Sequence, residues 1–89
     1  MFYTYILYSL TKSKFYVGQT NDINNRIIRH NSGNVKSTKY GLPWEIVFYF
    51  EFNSRAEAMD FENKIKKRGA SRFLESINFD FNEWLSRHA

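Results

Sequence analysis

Two short runs of aromatic and β-branched residues, Phe2 to Ser9 and Lys14 to Gln19, flank the polar stretch Leu10-Thr11-Lys12-Ser13. Such runs read as strands. The connection between them is too short for the crossover that parallel strands need, so the pairing must be antiparallel. The chain therefore opens with a β-hairpin, and the rest of it has to cover that hairpin. A third strand is predicted over Trp44 to Phe52, with Ile46, Phe48 and Phe50 on one face.

Between the strands lie helix signals. Thr20 or Asn21 can cap a helix that starts at Asp22, an acid suited to the first turn. Ile23 and Ile27, one turn apart, give it a buried stripe, and Gly33 suits a left-handed stop. Residues 34–43 read as a polar loop. Ser54 and Glu57 form a capping box for a second helix that ends at Gly69. Ser71 is placed as the cap of a shorter helix running through Ile77. Phe79, Phe81, Trp84 and Leu85 are expected to fold back over the core. The order is β-β-α-β-α-α, an α+β fold in which a small three-stranded antiparallel sheet is flanked by helices. One domain is expected over residues 1–89.

Aromatic residues make up 19% of the chain, so the core is built from a few large pieces. With no cysteine there is neither a disulfide framework nor a thiolate metal site. Thirteen Lys and Arg stand against nine Asp and Glu, which tilts the choice of partner towards anions, nucleic acid above all. No stretch approaches the length of a membrane span. The apolar Phe2 to Leu7 lacks a basic leader, so a signal peptide is not expected and the cytoplasm is the default location.

The residues that can carry chemistry fall in three places. On the first helix Asp22, Arg26 and His30 follow at intervals of four and share a face. The plain structural alternative is a solvated basic face with an Asp22–Arg26 pair. On the second helix Phe61, Ile65 and Ala58 form the apolar stripe, and Glu62 projects at its margin. An acid there is costly unless paired or metal-bound, and the plain alternative is a Glu62–Lys66 surface pair. In the hairpin, Tyr5 lies on one strand and Tyr16 on the other, followed by Gly18, where a missing side chain often marks a close approach. Each tyrosine alone could be an ordinary strand aromatic.

Taken in order, these elements resemble the GIY-YIG nuclease family, in particular its small stand-alone members of the YhbQ type. Tyr3-Thr4-Tyr5 occupies the first signature element, matching only its last tyrosine, and Tyr16-Val17-Gly18 occupies the second. The run from Tyr16 through Arg26 and His30 to Gly33 is similar to the family's strand, turn and helix. Ala58 to Lys66 is similar to its metal-binding helix, and Ser71-Arg72 and Trp84 fit the small members. The resemblance implies a DNA endonuclease whose Glu62 holds one divalent cation, Mg²⁺ with Mn²⁺ as the alternative, and which leaves 5′-phosphate and 3′-hydroxyl ends. It implies that Arg26 neutralises the phosphate. Tyr5 is the first choice for activating water, with Tyr16 or His30 sharing the proton. Lys36, Lys39, Tyr40, Lys66, Lys67, Arg68 and Arg72 are candidates for nucleic-acid contact.

Two readings of other classes compete. A basic, aromatic-rich sheet can stack bases without cutting them, but such a binding module has no use for Glu62 at its place. A protein-interaction domain could use the aromatic C-terminal segment as its interface.

Overall fold

The computed structural model describes residues 1–88, so the last residue of the expected domain lies outside the described part. Strand β1 (Phe2–Ser9) is central, with β2 (Lys14–Thr20) on one side and β3 (Trp44–Phe52) on the other, both antiparallel to it. The hairpin turn closes with Ser13 at φ 54° and its amide on the Ser9 carbonyl at 2.8 Å. The expected three-stranded antiparallel sheet is thus present, and helices cover both of its faces.

Alternation along β1 decides which side chain serves which face. Ile6 and Tyr8 join Val17, Val47, Ile65, Phe73 and Leu74 in the larger core. Tyr5, Leu7 and Trp44 form a second core on the other face, packed by Tyr16, Ile23, Ile27 and Ile46. The larger core is held by α2 (Arg55–Arg68), α3 (Ala70–Ser76) and α4 (Phe81–His88); the smaller one is covered by α1 (Ile23–Asn31).

Here β3 departs from simple alternation. Its register against β1 slips between Ile6 and Leu7, with Leu7 opposite Ile46 but Ile6 opposite Phe48. Val47 is the extra residue of a β-bulge. Ile46 therefore packs against Tyr5, Leu7 and Trp44, while Phe48 and Phe50 face the larger core. The expectation that all three share a face is corrected.

The helix ends follow local chemistry. Asp22 itself is the cap of α1, its carboxylate accepting the Asn25 amide at 3.1 Å, so it is not the first helical residue and neither Thr20 nor Asn21 caps. Gly33, at φ +81°, follows the helix as expected. Ser54 caps α2 through the Glu57 amide, and the Glu57 side chain meets the Ser54 hydroxyl at 3.0 Å. Gly69, at φ +95°, both ends α2 and starts α3, so Ser71 lies inside α3 rather than capping it. The aromatic C-terminal segment does fold back, as a helix. Asp80 accepts the Glu83 amide at its start, and the Trp84 indole donates to the Ile46 carbonyl at 3.2 Å. No helix among the described residues is long and apolar enough to cross a membrane.

Candidate active site

The hairpin register sets Tyr5 opposite Gly18 and Leu7 opposite Tyr16, so Tyr5, Tyr16 and Gly18 share the face that α1 covers. Gly18 leaves the space that the Tyr5 ring occupies. A Cβ built there would lie 2.5 Å from the Tyr5 hydroxyl oxygen and 2.7 Å from Cζ. Gly18→Ala should therefore push the phenol off its partners and cost about 1–3 kcal/mol, as overpacking of a filled interior does. A denaturant titration measures this; an unchanged midpoint would mean that Tyr5 has room to move.

The Tyr5 hydroxyl meets His30 Nε2 at 3.0 Å, and His30 Nδ1 meets the Thr38 hydroxyl at 2.8 Å. All three residues are at most 1% exposed. Tyr16 stands beside them, its ring 4.9 Å from the imidazole and edge-on, and it is only half-buried. Of the two phenols, Tyr16 offers surface to a ligand and Tyr5 is sealed behind it.

Arg26 is half-buried on the same helix as His30. The Asp22–Arg26 pair is absent, because Asp22 is engaged in capping, and no carboxylate pairs with Arg26 among the described residues. Its charge is felt instead by its neighbours. Burial drives the Tyr5 phenol well above its ordinary value; the Tyr16 phenol and the Glu62 carboxylate push the same way, and the Arg26 guanidinium opposes them. Three chain-distant groups thus act on one hydroxyl. Burial, then Arg26 and Arg29, hold His30 below the usual imidazole range, so it is neutral at pH 7. The sequence places the titration of His30 near neutrality, and the structure moves it downward.

Glu62 sits at the margin of α2, its side chain 17% exposed, with Lys66 Nζ at 2.6 Å. The Glu62–Lys66 pair that the sequence allows is formed. Among the described residues no group of three or more His, Cys, Asp or Glu gathers that could hold a metal. A lone carboxylate fits a hard cation that keeps most of its waters, such as Mg²⁺, and not Zn²⁺, which needs three or four protein ligands.

Elsewhere the expected nucleic-acid contacts divide. Lys36, Lys39 and Tyr40 are exposed on the loop that carries Thr38, and Lys66 lies beside Glu62. Lys67 and Arg68 instead line a cavity of about 520 Å³ with Phe61, Lys64 and Phe73. Arg68 and Arg72 border another with Glu75 and Ser76. These three cations are thus placed around pockets of their own. Sequence reasoning missed Lys14, whose ammonium lies 5.9 Å from the Tyr40 ring centre. It also took Thr38 only as part of the polar loop 34–43, since nothing local marks it as a partner of His30.

The model of the GIY-YIG catalytic domain matches residues 1–76, which include Tyr5, Tyr16, Arg26, His30, Thr38 and Glu62. The chain belongs to the GIY-YIG nuclease family. Helix α4 lies beyond the matched GIY-YIG segment. Its relatives include UPF0213 proteins of Streptococcus pyogenes serotypes M3 and M1, each 39% identical over 67 residues that span 74% of this chain and 72% of the relative. A UPF0213 protein from Bacillus halodurans, solved by solution NMR, superposes with a TM-score of 0.53 at 30% identity, covering 90% of this chain and 86% of that one. The GIY-YIG fold expected from the sequence is the fold found.

Proposed function

We propose that this GIY-YIG domain is a Mg²⁺-dependent endonuclease. It hydrolyses nucleic-acid phosphodiester bonds, with DNA as the substrate, and it is guided by substrate structure or by weak sequence preference. Mn²⁺ can replace Mg²⁺, and the setting is cytoplasmic DNA repair or recombination. The observation that supports this best is the meeting of four charges and dipoles at one buried hydroxyl: the Tyr5 oxygen bonds His30 and feels Tyr16, Arg26 and Glu62.

Glu62 would hold the cation, and Lys66 is its competitor for that carboxylate. When bound, the cation supplies charge stabilisation at the phosphoryl and leaving oxygens. Arg26, unpaired with any carboxylate, neutralises charge that develops on the phosphate. Tyr5 takes a proton from the attacking water, which substrate binding must bring past the half-exposed Tyr16 to this buried hydroxyl, while its own proton passes to His30 Nε2. Neutral His30 can accept that proton, and a phenol alone is too weak a base at pH 7. Tyr16 flanks the reacting phosphate from its exposed side. Lys36, Lys39 and Tyr40 contact the nucleic-acid backbone near the site, giving salt-sensitive affinity.

A panel of single-stranded, duplex and branched DNA and RNA substrates, assayed with Mg²⁺ and with chelator, tests the proposal. Cleavage is expected only with the metal, leaving 5′-phosphate ends. Arg26→Ala should lower turnover about a hundredfold or more, as loss of one charge-stabilising donor does, with little loss of stability. Binding of nucleic acid without cleavage of any panel member would favour a non-catalytic binding module instead. A large drop in melting temperature for Arg26→Ala would assign that residue a structural role.

A further inference from the structure

The loop between α1 and β3 brings Thr38 to His30, and that part of the loop is fastened in place. The Trp44 indole donates to the Thr38 carbonyl at 2.6 Å, and Asn31 brackets the Trp44 backbone, accepting its amide at 2.7 Å and donating to its carbonyl at 2.9 Å. Thr38 is fully buried, and its hydroxyl has two neighbours, His30 Nδ1 at 2.8 Å and the Val35 carbonyl at 3.4 Å.

Hydrogen accounting settles which way these bonds run. Neutral imidazole has one donor nitrogen and one acceptor nitrogen. The Tyr5 O–H is buried, and the one side-chain acceptor it meets among the described residues is His30 Nε2, since the neighbouring Arg26 can only donate. If Nε2 carried the hydrogen, the Tyr5 proton would be sealed away from water with no acceptor, which costs about 1–3 kcal/mol. With the hydrogen on Nδ1, every group is satisfied: Tyr5 donates to Nε2, Nδ1–H donates to Thr38, and Thr38 donates to the Val35 carbonyl. No buried side-chain polar atom among the described residues lacks a partner.

We infer that Thr38 is a positioning residue that holds neutral His30 in its Nδ1–H form, so that the Nε2 lone pair faces the Tyr5 hydroxyl as proton acceptor. This rests on the proposed use of Tyr5 and His30 in water activation. The step balances: the water's O–H bond breaks as a new Tyr5 O–H bond forms. The original Tyr5 O–H bond breaks as Nε2–H forms, and the electron pair left on the water oxygen goes to phosphorus as the bond from phosphorus to the 3′ oxygen breaks; that oxygen leaves with the electron pair and takes a proton from solvent to become the 3′-hydroxyl. An imidazole in the opposite form would present N–H to Tyr5 and could take no proton from it.

The tautomer can be read without any substrate. Long-range ¹H–¹⁵N correlation spectra of labelled protein at pH 7.5 should show His30 Nδ1 protonated and Nε2 bare. Thr38→Val, which keeps the shape but removes the acceptor, should move the signals towards the Nε2–H form and lower turnover about ten- to a hundredfold, as loss of a histidine-orienting partner does in metal sites. Thr38→Ser should restore both. An Nε2–H signal in the unaltered protein overturns the inference by itself, whether or not the valine variant folds. So does a valine variant that keeps the Nδ1–H signal, or a serine variant that fails to restore it. Should the unaltered protein cleave nothing, the nuclease proposal fails while the spectra still decide the role of Thr38.

Discussion

Glu62→Ala should abolish metal-dependent cleavage, lowering turnover by at least on the order of 10³, since a Lewis-acidic cation supplies several kcal/mol of transition-state stabilisation. Stability should hardly change. The carboxylate's partner Lys66 is half-exposed, and such a pair contributes under about 1 kcal/mol. The companion variant Lys66→Ala separates two roles for the acid. If Glu62 serves a metal, removing its lysine leaves cleavage in place and lowers the Mg²⁺ concentration needed for half-maximal rate. If Glu62 serves only the ion pair, the two variants behave alike. Nucleic-acid affinity measured in chelator should survive Glu62→Ala; cleavage undiminished in that variant would remove Glu62 from the site.

Tyr5→Phe has the second large effect, and it acts on two measurements at once. Turnover should fall about 10²–10⁴-fold, the usual range for losing a positioned acid–base group. The protein should also lose about 1–3 kcal/mol in a denaturant titration, because Nε2 of His30 is left buried without its donor. Tyr16→Phe is the control. Its half-buried hydroxyl is in no hydrogen bond among the described side chains, so stability should hold and the loss of turnover should be smaller. A Tyr16→Phe variant that loses more activity than Tyr5→Phe would make the exposed phenol the water-activating group.

Much of this arrangement can be read from the chain. The hairpin and its sharing of Tyr5, Tyr16 and Gly18 on one face follow from two alternating runs and a four-residue gap, because a strand offers its side chains to only two sides. The cap at Ser54 and the stop at Gly69 follow from local chemistry that needs no tertiary context. What stays hidden is long-range. The bulge at Val47 shifts Ile46 to the other face, and no residue in that run signals it. The bond between His30 and Thr38 joins a helix to a loop through a fold that strings of residues do not display. Helix α4 is a different case. Asp80 ahead of Glu83, with Phe81, Trp84 and Leu85 at helical spacing, did carry a signal, and the aromatic character of the segment masked it. The cations divide for a geometric reason: on α2, Lys66 is one turn from Glu62, and the next two residues turn away from it.

The irregularity in the third strand has a consequence for engineering. The phenylalanine-rich layer and the layer under the tyrosines share no side chain although they are back to back across one thin sheet, and the change of side within β3 gives Ile46 to the second while Phe48 and Phe50 serve the first. Phe48, Phe50 and Phe73 can be redesigned for heat resistance while Tyr5, Tyr16 and His30 opposite keep their shape, whereas Phe61 directly precedes Glu62 on α2 and must stay. A strand of unbroken alternation would have put Ile46 on the phenylalanine side as well and taken it from the layer under the tyrosines.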